Sequence, residues 1–406
     1  MSLKYYYFSI LFMIIMHFSV NAQPLDNGFV VYHSYTSYDA WNSKMYLLDL
    51  EENNIIEIGR DWNIDHEMNG HISPDGTKLV FMGDDKGEPR DWDIYLWEIG
   101  SSDQPINLTH GYDRRDEDPK FSPDGTKIVF KQAYWSSSVN GFIFDIKELD
   151  LSGNIINTVT SYNQVEESMP YYTADGLKII YASSGGADGD IYSIDQDGSN
   201  NSIIESQSSV QEYYPIVRDS ETYFFTRWVS ASDHHDQVYI GNFNGDPAVK
   251  AAFNVSTADY SDAYPAGGDL AFFSSTRSGG RGAYDLYIGD VSTGEVWNMD
   301  TFGSINTYRN ELGACYNENS YEDLLSNEII QKQVGSVYPN PGSDGIFNLK
   351  IDKEYQLSVI SIDGKLIVER QVSDGEIVDL STQDRGIYFF VLKSKEELQA
   401  LKVLIR

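Results

Sequence analysis

Cysteine is almost missing from this chain: Cys315 is the only one in 406 residues. An intrachain disulfide framework is therefore excluded, and so is a C-x-x-C zinc pair. We read Cys315 as a buried small apolar residue. Basic residues are also few, 29 Lys and Arg against 62 Asp and Glu, for a net charge of −33. That balance removes nucleic acid as a partner, because the phosphate backbone needs a basic surface. Long apolar runs are absent after "FSILFMIIMHFSV" near the start, so no transmembrane segment is expected. That run follows Lys4 and ends in the small residues "VNA", which predicts a secretory signal peptide over 1–22. The sequence also lacks a nucleophile elbow, a Walker loop, a dinucleotide fingerprint and H-E-x-x-H.

Internal repetition is what the chain has. One six-residue segment recurs as "EMNGHI" (67–72), "DEDPKF" (116–121), "ESMPYY" (167–172), "EYYPIV" (212–217), "DAYPAG" (262–267) and "ELGACY" (311–316). Read this way, each copy opens with a carboxylate: Glu67, Asp116, Glu167, Glu212, Asp262 and Glu311. A turn follows, such as "SPDG" at 73–76 and 122–125, where Asp-Gly suits a tight hairpin. Then come an apolar strand, a variable loop, a third strand and a short fourth. Four strands in roughly 45–50 residues mark a propeller blade. "GFVVYHS" (28–34) reads as a second strand with no first strand before it. "ELGACY" has no blade after it, so it is expected to supply that missing strand and close the ring. The fold class expected is all-β: a six-bladed propeller over 23–323, followed by a small C-terminal β-sandwich.

"DEDPKFSPDGTKIVF" resembles the TolB-like propeller repeat, in which a carboxylate precedes a Pro-aromatic-Ser-Pro-Asp-Gly turn. The resemblance covers the six repeats and implies fold more than activity, since propellers serve as binding proteins, scaffolds and enzymes. After "SNEIIQKQVGS", read with its neighbours as a linker over 324–336, "YPNP", "DGK", "GIYFF" and a terminal "KV" occur in order. Residues 337–406 thus resemble the C-terminal sorting domain of the type IX secretion system. That implies the type IX machinery as a partner, and a secreted or cell-surface location.

The chemistry is expected on one face. Eight of the nine propeller arginines fall in loops joining second to third strands or joining blades: Arg60, Arg90, Arg114, Arg115, Arg227, Arg277, Arg281 and Arg309. The histidines His33, His66, His71, His110, His234 and His235 map there too, with Trp41, Trp62, Trp92, Trp135 and Trp228. Arginine grips oxyanions and indole stacks on sugar C–H faces, so the partner expected is an anionic polysaccharide or its oligosaccharides. In "EMNGHI", Gly70 and His71 replace the Pro-Lys of "DEDPKF", which suggests close backbone approach and an imidazole at the channel mouth. A Tyr–His–Arg set suits β-elimination on a uronic acid: arginine neutralises the carboxylate and Tyr or His takes the C5 proton. The set resembles that of the propeller-fold ulvan lyases. The catalytic candidates are His66, His71, Tyr214 and Arg227, and the substrate-binding candidates Trp62, Arg90, Tyr213, Trp228 and Arg277. A noncatalytic TolB-like binding or scaffold propeller is the alternative. No cofactor is required by the sequence. A divalent metal stays open on "SDHHD" (232–236) and the ring carboxylates, whose plainer role is to cap strands and bind backbone N–H groups.

Overall fold

A computed structural model of the protein describes residues 24–406 apart from 86–91, 112–113, 138–139, 162–164, 185–187, 303, 322–334, 344, 352, 363–364 and 395–397. The expected signal peptide, most of the expected linker and Arg90 lie outside the described residues. Six four-stranded antiparallel sheets follow one another, and their innermost strands touch in a closed cycle. These inner strands are Asn310–Asn317 in blade 1, Ile64–Ile72 in blade 2, Arg114–Phe121 in blade 3, Glu167–Tyr172 in blade 4, Glu212–Val217 in blade 5 and Tyr260–Pro265 in blade 6. Blade 1 is completed as the sequence predicts. The strand Phe29–Tyr35 pairs on one side with Lys44–Asp49 and on the other with the late strand Asn310–Asn317, with Val31 opposite Cys315. Both edges that an open ring would expose are thereby satisfied.

Apolar cores lie between successive blades rather than at the axis. Phe29, Val31, Met45 and Leu47 of blade 1 meet Ile64, Leu79 and Phe81 of blade 2, and each of the other junctions has a similar cluster. Cys315 is 1% exposed within the first of these, as expected for a small core residue. Successive turns on the hairpin face also nest. A side chain starting at Gly125 would lie 3.6 Å from Pro74, and one at Gly176 would lie 3.6 Å from Pro123.

Each inner strand carries an irregularity at the same place. The third residue of every copy has a left-handed backbone, with φ between +52° and +65°: Asn69, Asp118, Met169, Tyr214, Asp262 and Gly313. The pairing with the next strand shifts there in every blade. Such a bulge re-aims one side chain, here toward the axis. It also corrects the alignment of the copy in blade 6. The strand begins at Tyr260, so the repeat reads "YSDAYP" and its first position is a tyrosine. Asp262 is a third-position residue, not a member of the first-position carboxylates.

Two further sheets, of three and four strands, occupy Gly335–Ile405. Phe347, Leu349, Leu357, Val359, Phe390 and Val403 from both sheets share one core, which makes a small sandwich with its own interior. The first strand, Gly335–Tyr338, starts just inside the expected linker. These separate cores generate a prediction. A chain ending at Asp323 should keep the propeller's cooperative thermal transition in circular dichroism. One ending at Thr307 should lose it, because blade 1 then lacks its inner strand.

Candidate functional site

The bulges place two rings of side chains around the axis. The third-position ring is Asn69, Asp118, Met169, Tyr214, Asp262 and Gly313. The fifth-position ring is His71, Lys120, Tyr171, Ile216, Tyr264 and Cys315. Most of these line one central cavity, with about 50 Å³ of room for the centres of water molecules, enough for a few waters. Asn69 Nδ2 donates to Asp118 Oδ1 at 2.7 Å, and Asp262 Oδ2 accepts the Gly313 N–H at 3.2 Å. Lys120 donates to the Pro119 carbonyl at 3.2 Å and stands in the field of Asp118 and Asp262. Burial lowers the Lys120 pKa and pushes that of Asp262 up to about 6. Tyr214 and Tyr264 are held far above the usual phenol range by burial, so they remain neutral donors.

His71 lines this cavity, as the sequence suggests, but its bonding is complete. Nδ1 accepts the Phe121 backbone N–H at 3.1 Å, which puts the ring proton on Nε2, 3.0 Å from the Tyr171 hydroxyl. Burial, then the nearby Lys120 charge, lowers its pKa well below the ordinary value. A neutral imidazole has one lone pair, and here a backbone amide holds it. Gly70 is explained by packing. A side chain there would meet Leu79 and Met45 at 3.2 Å, so the missing Cβ makes room for the blade 1 thioether.

Of the remaining described candidates, Tyr214 lines the same cavity as His71 and the others do not. His66 is 6% exposed beside Trp41 and Trp92, with centroids 4.9 Å and 6.2 Å away, and burial lowers its pKa to about 4. Arg227, 7% exposed, is fully engaged. Nε bonds Glu212 Oε1 at 2.7 Å, Nη2 bonds Glu205, and the guanidinium lies over Phe225 and Tyr239. Trp62 is in the core between blades 1 and 2, stacked on Phe81 at 5.0 Å and edge-on to Trp97. Tyr213 bonds Asp236 and packs against Tyr214, which lines the cavity. Trp228 stacks on His234 at 3.9 Å near the tip of the blade 5 hairpin. Arg277 lies over the Tyr287 ring at 5.5 Å. Arg90 is outside the described residues.

Several arginines of the second face are engaged by the protein itself, although Arg309 bonds only neutral groups and keeps its charge uncancelled. Arg60 pairs with Glu57, Arg115 with Glu117, and Arg281 with Asp300, while Arg309 donates to Ser34 and to the Asn42 carbonyl. Carboxylates also gather near the mouth, only partly offset by Lys120 and His235. Asp236, Asp259 and Asp262 act on one another and on Tyr284, and burial with this repulsion raises Asp236 to about 6. The spacing of Asp262 and Lys120 in the repeat carried this signal, hidden by the two-residue misalignment in blade 6.

The first-position acids fasten loops. Glu311 accepts from Ser34, from the Thr307 N–H and from its hydroxyl; Asp116 accepts from Gln132; and Glu67 takes Lys44. In blade 6 the Tyr260 hydroxyl does this work, accepting the Val255 N–H at 2.9 Å and donating to the Phe253 carbonyl. Among the described residues no group of three His, Cys, Asp or Glu side chains is placed to hold a metal ion. Asp116 and Glu167, buried with no ion-pair partner among the described residues, are pushed up to about 7 chiefly by desolvation. Their folded pKa values exceed their unfolded ones, so the folded state holds protons that the unfolded chain releases between about pH 4 and pH 7. Stability should therefore fall as pH rises through that window. Calorimetry should give a higher Tm at pH 5 than at pH 8, with a smaller difference in Asp116→Asn and Glu167→Gln, also in high salt.

Comparison with known proteins agrees with this architecture. Residues 30–213 match the TolB beta propeller domain family, and residues 336–406 match the secretion system C-terminal sorting domain family. TolB from Acinetobacter baumannii is 18% identical over 72% of this chain and 67% of that one, with a TM-score of 0.54. Hydrazine synthase of Kuenenia stuttgartiensis is 11% identical over 94% of this chain and 68% of its own, with a TM-score of 0.58. An oligogalacturonate lyase from Vibrio parahaemolyticus is 13% identical over 66% of this chain and 78% of its own, with a TM-score of 0.45. At these identities the likeness is one of fold.

Proposed function

The chain joins a TolB-like β-propeller to a type IX secretion sorting domain, which supports export to the cell surface or extracellular space; from this premise we propose that it is a noncatalytic binding propeller whose partner docks at the channel mouth. One observation carries the reading: the groups that uronate elimination needs are already spent. Arg227, the carboxylate clamp, is bound by Glu205 and Glu212, and the His71 lone pair is held by Phe121. The cavity beside His71 has room for a few waters and none for a sugar ring. The mouth offers phenols and carboxylates, which favours a neutral or positively charged segment over a polyanion.

The lyase reading keeps one observation in its favour, that Lys120, His71 and Tyr214 line the same cavity. The two are separated by one experiment on the secreted protein. Incubated with ulvan, alginate, pectin and heparin-type chains or their oligomers, it should give no rise in ultraviolet absorbance from a new conjugated double bond. An oligolysine peptide should bind at low salt. Asp236→Asn with Asp262→Asn should weaken it roughly tenfold or more, as expected when two mouth charges are removed. Product formation abolished in a folded His71→Ala variant would restore the enzyme.

A further inference from the structure

The junction of blades 4 and 5 differs on the hairpin face, away from the channel mouth, from the two junctions before it, where the turns nest. In each blade a row of paired residues runs outward from the fifth-position ring. Its outer two members are Leu47 and Ile56 in blade 1, Leu96 and Ile106 in blade 2, Ile240 and Val249 in blade 5, and Ile288 and Trp297 in blade 6. In blade 3 they are Glu148 and Asn157, which are polar but satisfied. Asn157 donates to Glu148 Oε2 at 2.8 Å, and the Tyr172 hydroxyl donates to Oε1 at 2.6 Å. In blade 4 they are Ser193 and Ser202. Ser193 is 6% exposed, and its hydroxyl has no hydrogen-bond partner among the described residues.

The turns explain why space opens beside it. Pro74 and Pro123 are each covered by the glycine of the next hairpin, but the equivalent residue of blade 4 is Ala174. The blade 5 hairpin is one residue shorter, with Val217 opposite Tyr223 where blade 4 has Tyr172 opposite Ile179, and it has no glycine to nest. The result is a cleft with about 350 Å³ of room for water-sized centres. Ser193, Ser202 and Ser220 line it, Phe243 and Ile204 give it an apolar wall, and Thr173 and Asp175 border it with the Thr173 hydroxyl already bonded to Asp175. Its cation, Lys178, is already paired with Asp195.

We infer that this cleft binds a neutral sugar residue of a glycan. Hydroxyls both donate and accept, so they match sugar hydroxyls in either sense, and the apolar wall suits a C–H face. Without a free cation it has no means to select an acidic sugar. The volume takes a ring, which the channel cavity does not. The site lies on the opposite face from the mouth, so the inference stands or falls independently of the docking reading.

Isothermal titration of the full secreted chain with laminarihexaose, mannohexaose, cellohexaose and maltohexaose, with an alginate hexamer as control, tests it. At least one neutral hexamer should bind and the alginate should not. Ser193→Ala should weaken that binding roughly fivefold, the effect of one neutral hydrogen bond. Ala174→Trp, or Ser220→Trp if the first does not fold by circular dichroism, should abolish it. Absence of binding by all four neutral hexamers overturns the inference. So does binding that both variants leave unchanged, or binding by the alginate alone.

Discussion

Everything at the axis depends on one left-handed residue per blade. A strand that simply alternated would send its side chains into the two flanking inter-blade cores and leave the centre to backbone. The bulge at Asn69, Asp118, Met169, Tyr214, Asp262 and Gly313 breaks that alternation and turns side chains inward. For a residue with a Cβ the conformation costs roughly 1–2 kcal/mol. Asn, Asp and Gly tolerate it, whereas Met169 and Tyr214 are poorly suited to it. Their presence means the ring geometry, held by six inter-blade cores, overrules local preference. Met169 also gains a contact from it, since its sulfur accepts the Tyr214 N–H at 3.4 Å.

This geometry divides the polar residues of each repeat into two kinds. First-position groups point into the blade and fasten loops or neighbouring strands, although Glu67, Asp116, Glu167 and Glu212 each keep one buried oxygen with no partner among the described residues. Tyr260 shows that the position asks for an acceptor near a loop and not for a charge, because a phenol replaces the acid there without loss of bonding. Third- and fifth-position groups point at the axis, where their partners are groups of other blades, as Asn69 with Asp118 and His71 with Phe121 and Tyr171. A carboxylate's meaning in this sequence is therefore set by its offset within the repeat. Glu212 and Asp262 look alike as letters and differ in role for that reason.

The fold was legible because repetition averages over local ambiguity. Five copies of a turn and strand outweigh any one unclear segment, and the missing first strand could be matched to the orphan sixth copy by counting. The site was less legible. Aligning "DAYPAG" by its acid rather than by the strand start moved Asp262 two places. Loop assignment put Arg227 and Trp62 on the second face, but the sequence does not state that Glu205, 22 residues earlier, reaches the same guanidinium, or that Trp62 turns inward onto Phe81. Burial and pairing between distant residues are decided by packing, which residue type and spacing only bound.

A repeat protein offers its own internal control for function, since five blades show what the sixth would be if structure alone chose it. By that measure a departure in residue type is not enough. Gly70–His71 departs from Pro–Lys, yet Met45 fills the space and Phe121 and Tyr171 take both ring nitrogens. Glu148–Asn157 departs from the apolar pairs, yet the two bond each other and Tyr172. Ser193–Ser202 departs, and neither hydroxyl bonds another described residue; Ser202 is exposed and both residues line the cleft, where water reaches them. Hydroxyls that no protein group occupies can exchange their water for a ligand that offers the same bonds. Departure together with missing compensation thus singles out the cleft between blades 4 and 5, although the histidines and arginines of the other face are the more conspicuous letters.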